Sequence, residues 1–211
     1  MTHRSDPALL VLHGVRVLGA PGTARLAARY RLDPAEVREH LLDYQACGWV
    51  ARTDFFGDVT WSLTDSGRAA DERLLAAELD ATGTRATVVA AHQAFLPLNA
   101  RHGVACTNWQ LRPASFDPHR RNDHTDPDWD LDVLAALAEV DRALAGICAG
   151  LAAALARFDG HAERHNAALR RAAAGAHAWV DAPDRDSCQL VWMQFHEDLL
   201  ATLGIPRGSD C

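Results

Sequence analysis

The sequence predicts a mainly α-helical protein in which three short helices and a small β-hairpin precede an α-helical bundle. Two changes of pattern carry this prediction. Around Phe56-Gly57-Asp58 the hydrophobic period shortens from helical to alternating, as a hairpin requires. From Ala86 onward, helical stripes follow one another with no strand signal between them. A hydrophobic content of 48% over 211 residues is enough to build one large core or two small ones.

The elements follow in order. Ala8–Leu18 is apolar enough for a buried first helix and is closed by Gly19, Pro21 and Gly22. Thr23 opens a short helix through Tyr30. Asp33-Pro34-Ala35-Glu36 then combines an N-cap carboxylate, proline in the first turn and a glutamate three residues after the cap. The helix it starts carries Val37, Leu41, Leu42 and Tyr44 and stops at Gly48. Two short helices joined by a tight turn read as helix-turn-helix. Trp49–Arg52 and Val59–Leu63 are the strands, and Trp49, Phe55, Phe56 and Trp61 are expected to pack the hairpin. Thr64-Asp65-Ser66-Gly67-Arg68 begins the next helix.

Three helices, a hairpin and a helix opening L-T-x-x-G-R resemble the winged helix-turn-helix regulators, the MarR-like group in particular, over roughly Ala8–Leu79. The resemblance implies a DNA-binding domain over residues 1–80, with the Asp33–Cys47 helix in the major groove, the hairpin as wing, and Arg38, His40 and Arg52 as DNA contacts. The charge pattern pulls the other way. Pro7–Asp80 holds eight Arg and no Lys against eleven Asp plus Glu, a net of −3. DNA affinity rests mostly on neutralising phosphates, so binding is expected to be weak or to need a homodimer. The same pattern also suits a winged helix kept for packing or protein contact.

Residues 81–211 are expected to form the bundle and to hold any ligand. The first helix, Ala86–Arg112, places Val88, His92, Phe95, Asn99 and Cys106 near one face, with Pro97 expected to kink or break it. Asp126-Pro127 caps the second, whose stripe runs Leu137, Val140, Leu144, Ile147, Cys148, Leu151 and Leu155. Gly160–Trp179 reads as a third helix. The last buries Cys188, Val191, Trp192, Phe195, Leu199 and Leu203. Leu98-Asn99, Thr107–Arg112, Asn122–His124 and Trp192–Gly204 together resemble the second half of actinobacterial winged-helix or MarR-like regulators. That likeness implies architecture more than chemistry.

Composition excludes several classes. The formal charge is −7, which gives no general attraction to nucleic acid or anionic membrane. Cys47, Cys106, Cys148, Cys188 and Cys211 are scattered and odd in number, with no C-x-x-C pair, which points to a reducing cytoplasm. No secretory signal is visible at the start, and the longest apolar run, Ala143–Ala156, is shorter than the roughly 20 residues of a membrane span.

The densest chemistry lies in Cys106–Asp130. Trp109, Arg112, Asn122, Asp123 and His124 are the expected wall of a small-molecule pocket, in which Asp123 would orient His124 and Arg112 would clamp an anion. His196 and Glu197 join them if the last helix folds against this loop. His161 and His165, four apart on a helix, are the one pair with metal-ligand spacing, so no metal centre is otherwise expected. Cys106 sits near a helix C-terminus, where nothing activates a thiolate. No P-loop occurs, and the sequence leaves any cofactor unknown. Two functions fit: a ligand-responsive, dimeric DNA-binding regulator, and an enzyme or cofactor-binding protein that keeps the scaffold and uses Asp123 and His124 as an acid–base pair.

Overall fold

A computed structural model describes residues 2–208. Cys211 lies outside them. Eight α-helices and one antiparallel hairpin occur among the described residues. In order these are α1 (Pro7–Leu18), α2 (Thr23–Tyr30), α3 (Pro34–Ala46), β1 (Val50–Phe55), β2 (Asp58–Leu63), α4 (Asp65–Thr82), α5 (Arg85–Gln110), α6 (Pro127–Ala154), α7 (His161–Ala173) and α8 (Cys188–Leu203). Among the described residues no helix is long and apolar enough to cross a membrane.

The chain divides into two discontinuous compact units, where the sequence reading places one boundary at residue 80. One comprises 1–89, 152–157 and 194–211, the other 90–151 and 158–193. The ends of α6 and α8 therefore join the first unit rather than the second.

The first unit begins with capping. Asp6 accepts from the Ala8 amide at 2.8 Å, and Asp33 accepts from Ala35 and Glu36 at 2.8 and 3.3 Å. Helix α2 ends on Arg31, whose left-handed φ of 56° turns the chain into α3. The hairpin pairs Val50 with Leu63, Arg52 with Trp61 and Phe55 with Asp58, leaving Phe56-Gly57 as a two-residue turn with positive φ at both positions. Val11, Leu12, Val15, Leu26, Val37, Leu41, Val50 and Trp61 form the core. Of the four aromatics expected to pack the hairpin, Trp61 is buried and Trp49 packs against the core, whereas Phe55 and Phe56 are exposed. Phe55 ends β1 and Phe56 lies in the turn, and their rings meet edge-on at 4.8 Å away from the core.

Beside this core lies a buried ionic network. His13 sits 3.4 Å from Asp71 and 3.0 Å from Asp198. Arg157 donates to Asp198 at 2.6 Å and to Glu78 at 3.0 Å. Arg16 donates to Glu197 at 2.7 Å and to Glu72 at 2.9 Å. These pairs tie α1 and α4 to residues 152–157 and to the end of α8.

In the second unit, Trp109, Val133, Leu137, Ala168, Leu169, Val180 and Cys188 form the core. Helix α5 stays helical through Pro97, and its His92, Phe95 and Cys106 are buried as the stripe predicts. His102 stacks on Trp192 at 4.3 Å, and Trp192 donates to the Asn99 side chain at 2.9 Å. The expected 160–179 helix is shorter. It stops at Ala173, and Gly175, at φ 93°, leads into a 3-10 turn over His177–Trp179.

Candidate functional site

The site is built by a loop that folds back on the end of α5. The Asn122 amide donates to the Gln110 carbonyl at 2.9 Å, and the Arg112 amide donates to Arg120 at 2.8 Å. Asn122 is thus fixed by backbone pairing, and its side chain does the organising. Nδ2 donates to the Trp109 carbonyl at 3.1 Å and to Asp130 Oδ1 at 2.8 Å, while Oδ1 accepts from the His124 amide at 3.2 Å. His124 adopts the left-handed region at φ 56°, which a residue with a Cβ rarely does. Its Nδ1 lies 2.9 Å from Asp130 Oδ2.

Asp130 stands in the first turn of α6. Its side chain is only 9% exposed, and it receives hydrogen bonds from Asn122 and His124. His177 comes from the 3-10 turn, where the Arg171 guanidinium stacks over Trp179 at 4.1 Å. The rings of His124 and His177 are 4.7 Å apart, and Trp109 lies 4.5 Å from the first and 5.3 Å from the second. A cleft of about 700 Å³ opens over them, bordered also by Arg121 and Asp181. Donor atoms of His124, Asp130 and His177 all fall within 4.8 Å of one another.

Several expected roles change. Asp123 does not orient His124; Asp130 occupies that position. The exposed Asp123 carboxylate accepts from the Thr125 hydroxyl at 2.6 Å and its amide at 3.2 Å, and these bonds hold its pKa below the usual carboxylate value. Adjacent residues at a left-handed turn point apart, so sequence neighbours do not become partners here. Arg112 is not a free anion clamp, because Asp126 holds its guanidinium. Asp126 also caps α6 through the amides of Asp128 and Trp129 at 3.1 and 3.3 Å. Glu197 is committed to Arg16 and Arg207 in the first unit, and His196 belongs to that unit too. Trp109, Asn122 and His124 do come together at the cleft.

His161 and His165 are both fully buried. His165 directs Nδ1 to Asp141 at 2.7 Å, and Asn166 donates to the same carboxylate at 2.6 Å. His165 and Asp141 thus form a packed polar pair in the core. Burial, and then the charge of Asp181, push the Cys106 thiol up to about 12, so it stays protonated and unreactive at neutral pH. In the first unit, Arg38 is exposed, His40 stacks on Tyr44 at 6.2 Å, and the Arg52 guanidinium is held by Asp54 at 2.9 Å.

Asp130 and His177 were missed from the sequence. Asp130 falls in D-P-D-W-D, where a carboxylate at a helix start reads as capping, and His177 falls inside an apparently unbroken helix. The one available signal was Gly175, placed two residues before the histidine.

Chemically, the arrangement can do two things. Asp130 can fix the His124 tautomer, leaving Nε2 as an acceptor on the cleft side. Alternatively, the three side chains can act as ligands to a cation. No family model, no curated protein and no solved structure matches this chain.

Proposed function

We propose that this protein is a ligand-responsive transcriptional regulator of winged helix-turn-helix, MarR-like type. It acts in the cytoplasm as a homodimer on double-stranded DNA, with the Trp109–His124–His177 cleft as its small-molecule site. The observation that carries this reading is the order and trim of residues 7–82. Three helices lead into a hairpin with a two-residue turn, and a capped fourth helix follows. Helix α3 buries only Val37, Leu41 and Tyr44, leaving Arg38, Glu39, Leu42 and Asp43 on an open face. An open helix followed by a hairpin is what insertion into a major groove asks for. Ligand would act by favouring one of two arrangements with different DNA affinity.

A second reading is favoured by charge. With a net of −3 over Pro7–Asp80 and Arg52 already paired to Asp54, few cations are left for phosphate. In that reading the scaffold serves an enzyme or cofactor-binding protein, with His124 and Asp130 as its acid–base pair.

Binding to DNA from the protein's own upstream region, titrated with salt, separates them. The regulator should bind at low salt, with affinity falling as salt rises and dropping further for Arg38→Ala and Arg52→Ala. An absence of binding at every salt concentration removes the first reading and leaves the second.

A further inference from the structure

We propose that His124, His177 and Asp130 form a mononuclear site for a divalent first-row transition metal, of which zinc is the natural test case. The proposal rests on the second unit alone and is independent of DNA binding.

Three features point to a cation rather than to a packing cluster. First, the donor set is compact: one atom from each residue lies within a 4.8 Å sphere of mutual separation. His124 Nδ1 and Asp130 Oδ2 are 2.9 Å apart. Two ligands bound at about 2.1 Å around a tetrahedral ion are separated by roughly 3.4 Å, so this pair needs to open by only about half an ångström. Only the His177 side needs to close, and His177 sits on an exposed 3-10 turn.

Second, the carboxylate lacks a formal counter-charge. Asp130 is 6% exposed, and its hydrogen-bond partners are the Asn122 amide and the His124 ring. The nearest arginine in sequence, Arg121, borders the cleft, and the Arg112 guanidinium is taken by Asp126. A buried carboxylate is costly without a cation beside it, and an ion between Oδ2 and two imidazoles supplies one.

Third, a supporting shell is already in place. Asn122 Nδ2 occupies Asp130 Oδ1 at 2.8 Å and so leaves Oδ2 for the metal. The same Asn122 holds the His124 amide, which keeps this residue in its left-handed conformation. Asn122 is therefore a positioning residue.

The chemistry of the donors selects the ion. Two imidazole nitrogens and one carboxylate oxygen suit zinc, cobalt, nickel or iron; calcium and magnesium prefer oxygen alone. Three protein ligands beside an open cleft of about 700 Å³ leave at least one position for water or for an incoming anionic ligand. Binding requires a lone pair on each coordinating imidazole nitrogen, so metal entry replaces the contact between His124 Nδ1 and Asp130.

The test uses the untagged full-length chain, stripped with chelator and titrated with Co²⁺, whose visible absorption reports imidazole ligation. One equivalent should bind per chain and be displaced by Zn²⁺. His177→Ala removes an exposed ligand and should leave the circular dichroism spectrum unchanged while weakening Co²⁺ affinity about 100-fold or more. Asn122→Ala should weaken it about 10- to 100-fold through loss of ligand orientation. Asp130→Asn should abolish the one-equivalent absorption change, and His119→Ala, exposed and outside the set, should have no effect. Failure to bind one equivalent, or wild-type affinity in folded His177→Ala, overturns the site. Neither result bears on the DNA titration, which is read separately on metal-free protein.

Discussion

Gly67 shows how much one position can carry. A Cβ built there would lie 1.9 Å from the Trp49 carbonyl oxygen and 2.7 Å from its carbon. Both atoms are backbone, so no side-chain rotation relieves the clash. Thr64 adds to the junction, its hydroxyl capping the Gly67 amide at 3.1 Å and donating to the Gly48 carbonyl at 2.6 Å. Gly67→Ala is therefore expected to destabilise the protein by about 3 kcal/mol, the upper range for overpacking. Urea denaturation should show a lower midpoint with an unchanged slope; a midpoint equal to wild type would mean the α4–Trp49 approach is looser than described. The L-T-x-x-G-R motif was visible in the sequence, but the contact that demands glycine was not, because it depends on a carbonyl eighteen residues away. The site divides in the same way. Trp109, Asn122 and His124 are near one another in sequence and were found. Asp130 and His177 reach them only through the fold-back of the 111–126 loop and the turn after α7.

At the scale of elements, capping chemistry was the most legible signal. Asp33-Pro34 and Asp126-Pro127 each start a helix at the predicted residue. The α7 boundary was less legible, since Ala172-Ala173-Ala174 favours helix until Gly175 reverses the chain. The hairpin turn is an element whose residue choice and geometry disagree. Phe56 holds φ 50° with its side chain 96% exposed, beside Gly57 at φ 90°. A β-hairpin turn with two positive φ values prefers Asn-Gly, and the left-handed region costs an ordinary residue about 1–2 kcal/mol. Phe56→Asn should therefore stabilise the protein by about 1 kcal/mol, since asparagine accepts that conformation and no buried contact is lost. Equilibrium denaturation measures this directly. A loss of stability would show that Phe56, with Phe55 edge-on at 4.8 Å, contributes more to the hairpin than an exposed ring should.

For the molecule as a whole, two units mean two sources of pH dependence. Their boundaries were hidden in the sequence because Arg157, Glu197 and Asp198 find their charge partners, His13, Arg16 and Glu78, more than seventy residues away. In the first unit, burial opposes charging His13, but Asp71 and Asp198 together outweigh it and push the pKa up to about 9 from 6.5. The folded state thus holds a proton that the unfolded chain releases. This stabilisation is full below pH 6.5 and is lost as pH rises through about 9, a term on the order of 3 kcal/mol. In the second unit, burial, helped by neighbouring His165, lowers His102 to about 3. Here the unfolded chain binds the proton more readily, so stability is full above pH 6.5 and is lost as pH falls toward 3. His102 stacks on Trp192 and lies 3.6 Å from Cys106, a setting that an uncharged ring fills equally well. The thermal midpoint should therefore decline on both sides of neutrality, and His102→Phe should flatten the acid side while leaving the alkaline side unchanged. Hydrogen exchange, corrected for intrinsic rate, should show α5 amides between residues 95 and 106 losing protection first in acid, and α1 amides losing it first in alkali. Simultaneous loss of both sets at either extreme would show that one unit cannot open without the other, and would refute the assignment of each limb to its own histidine.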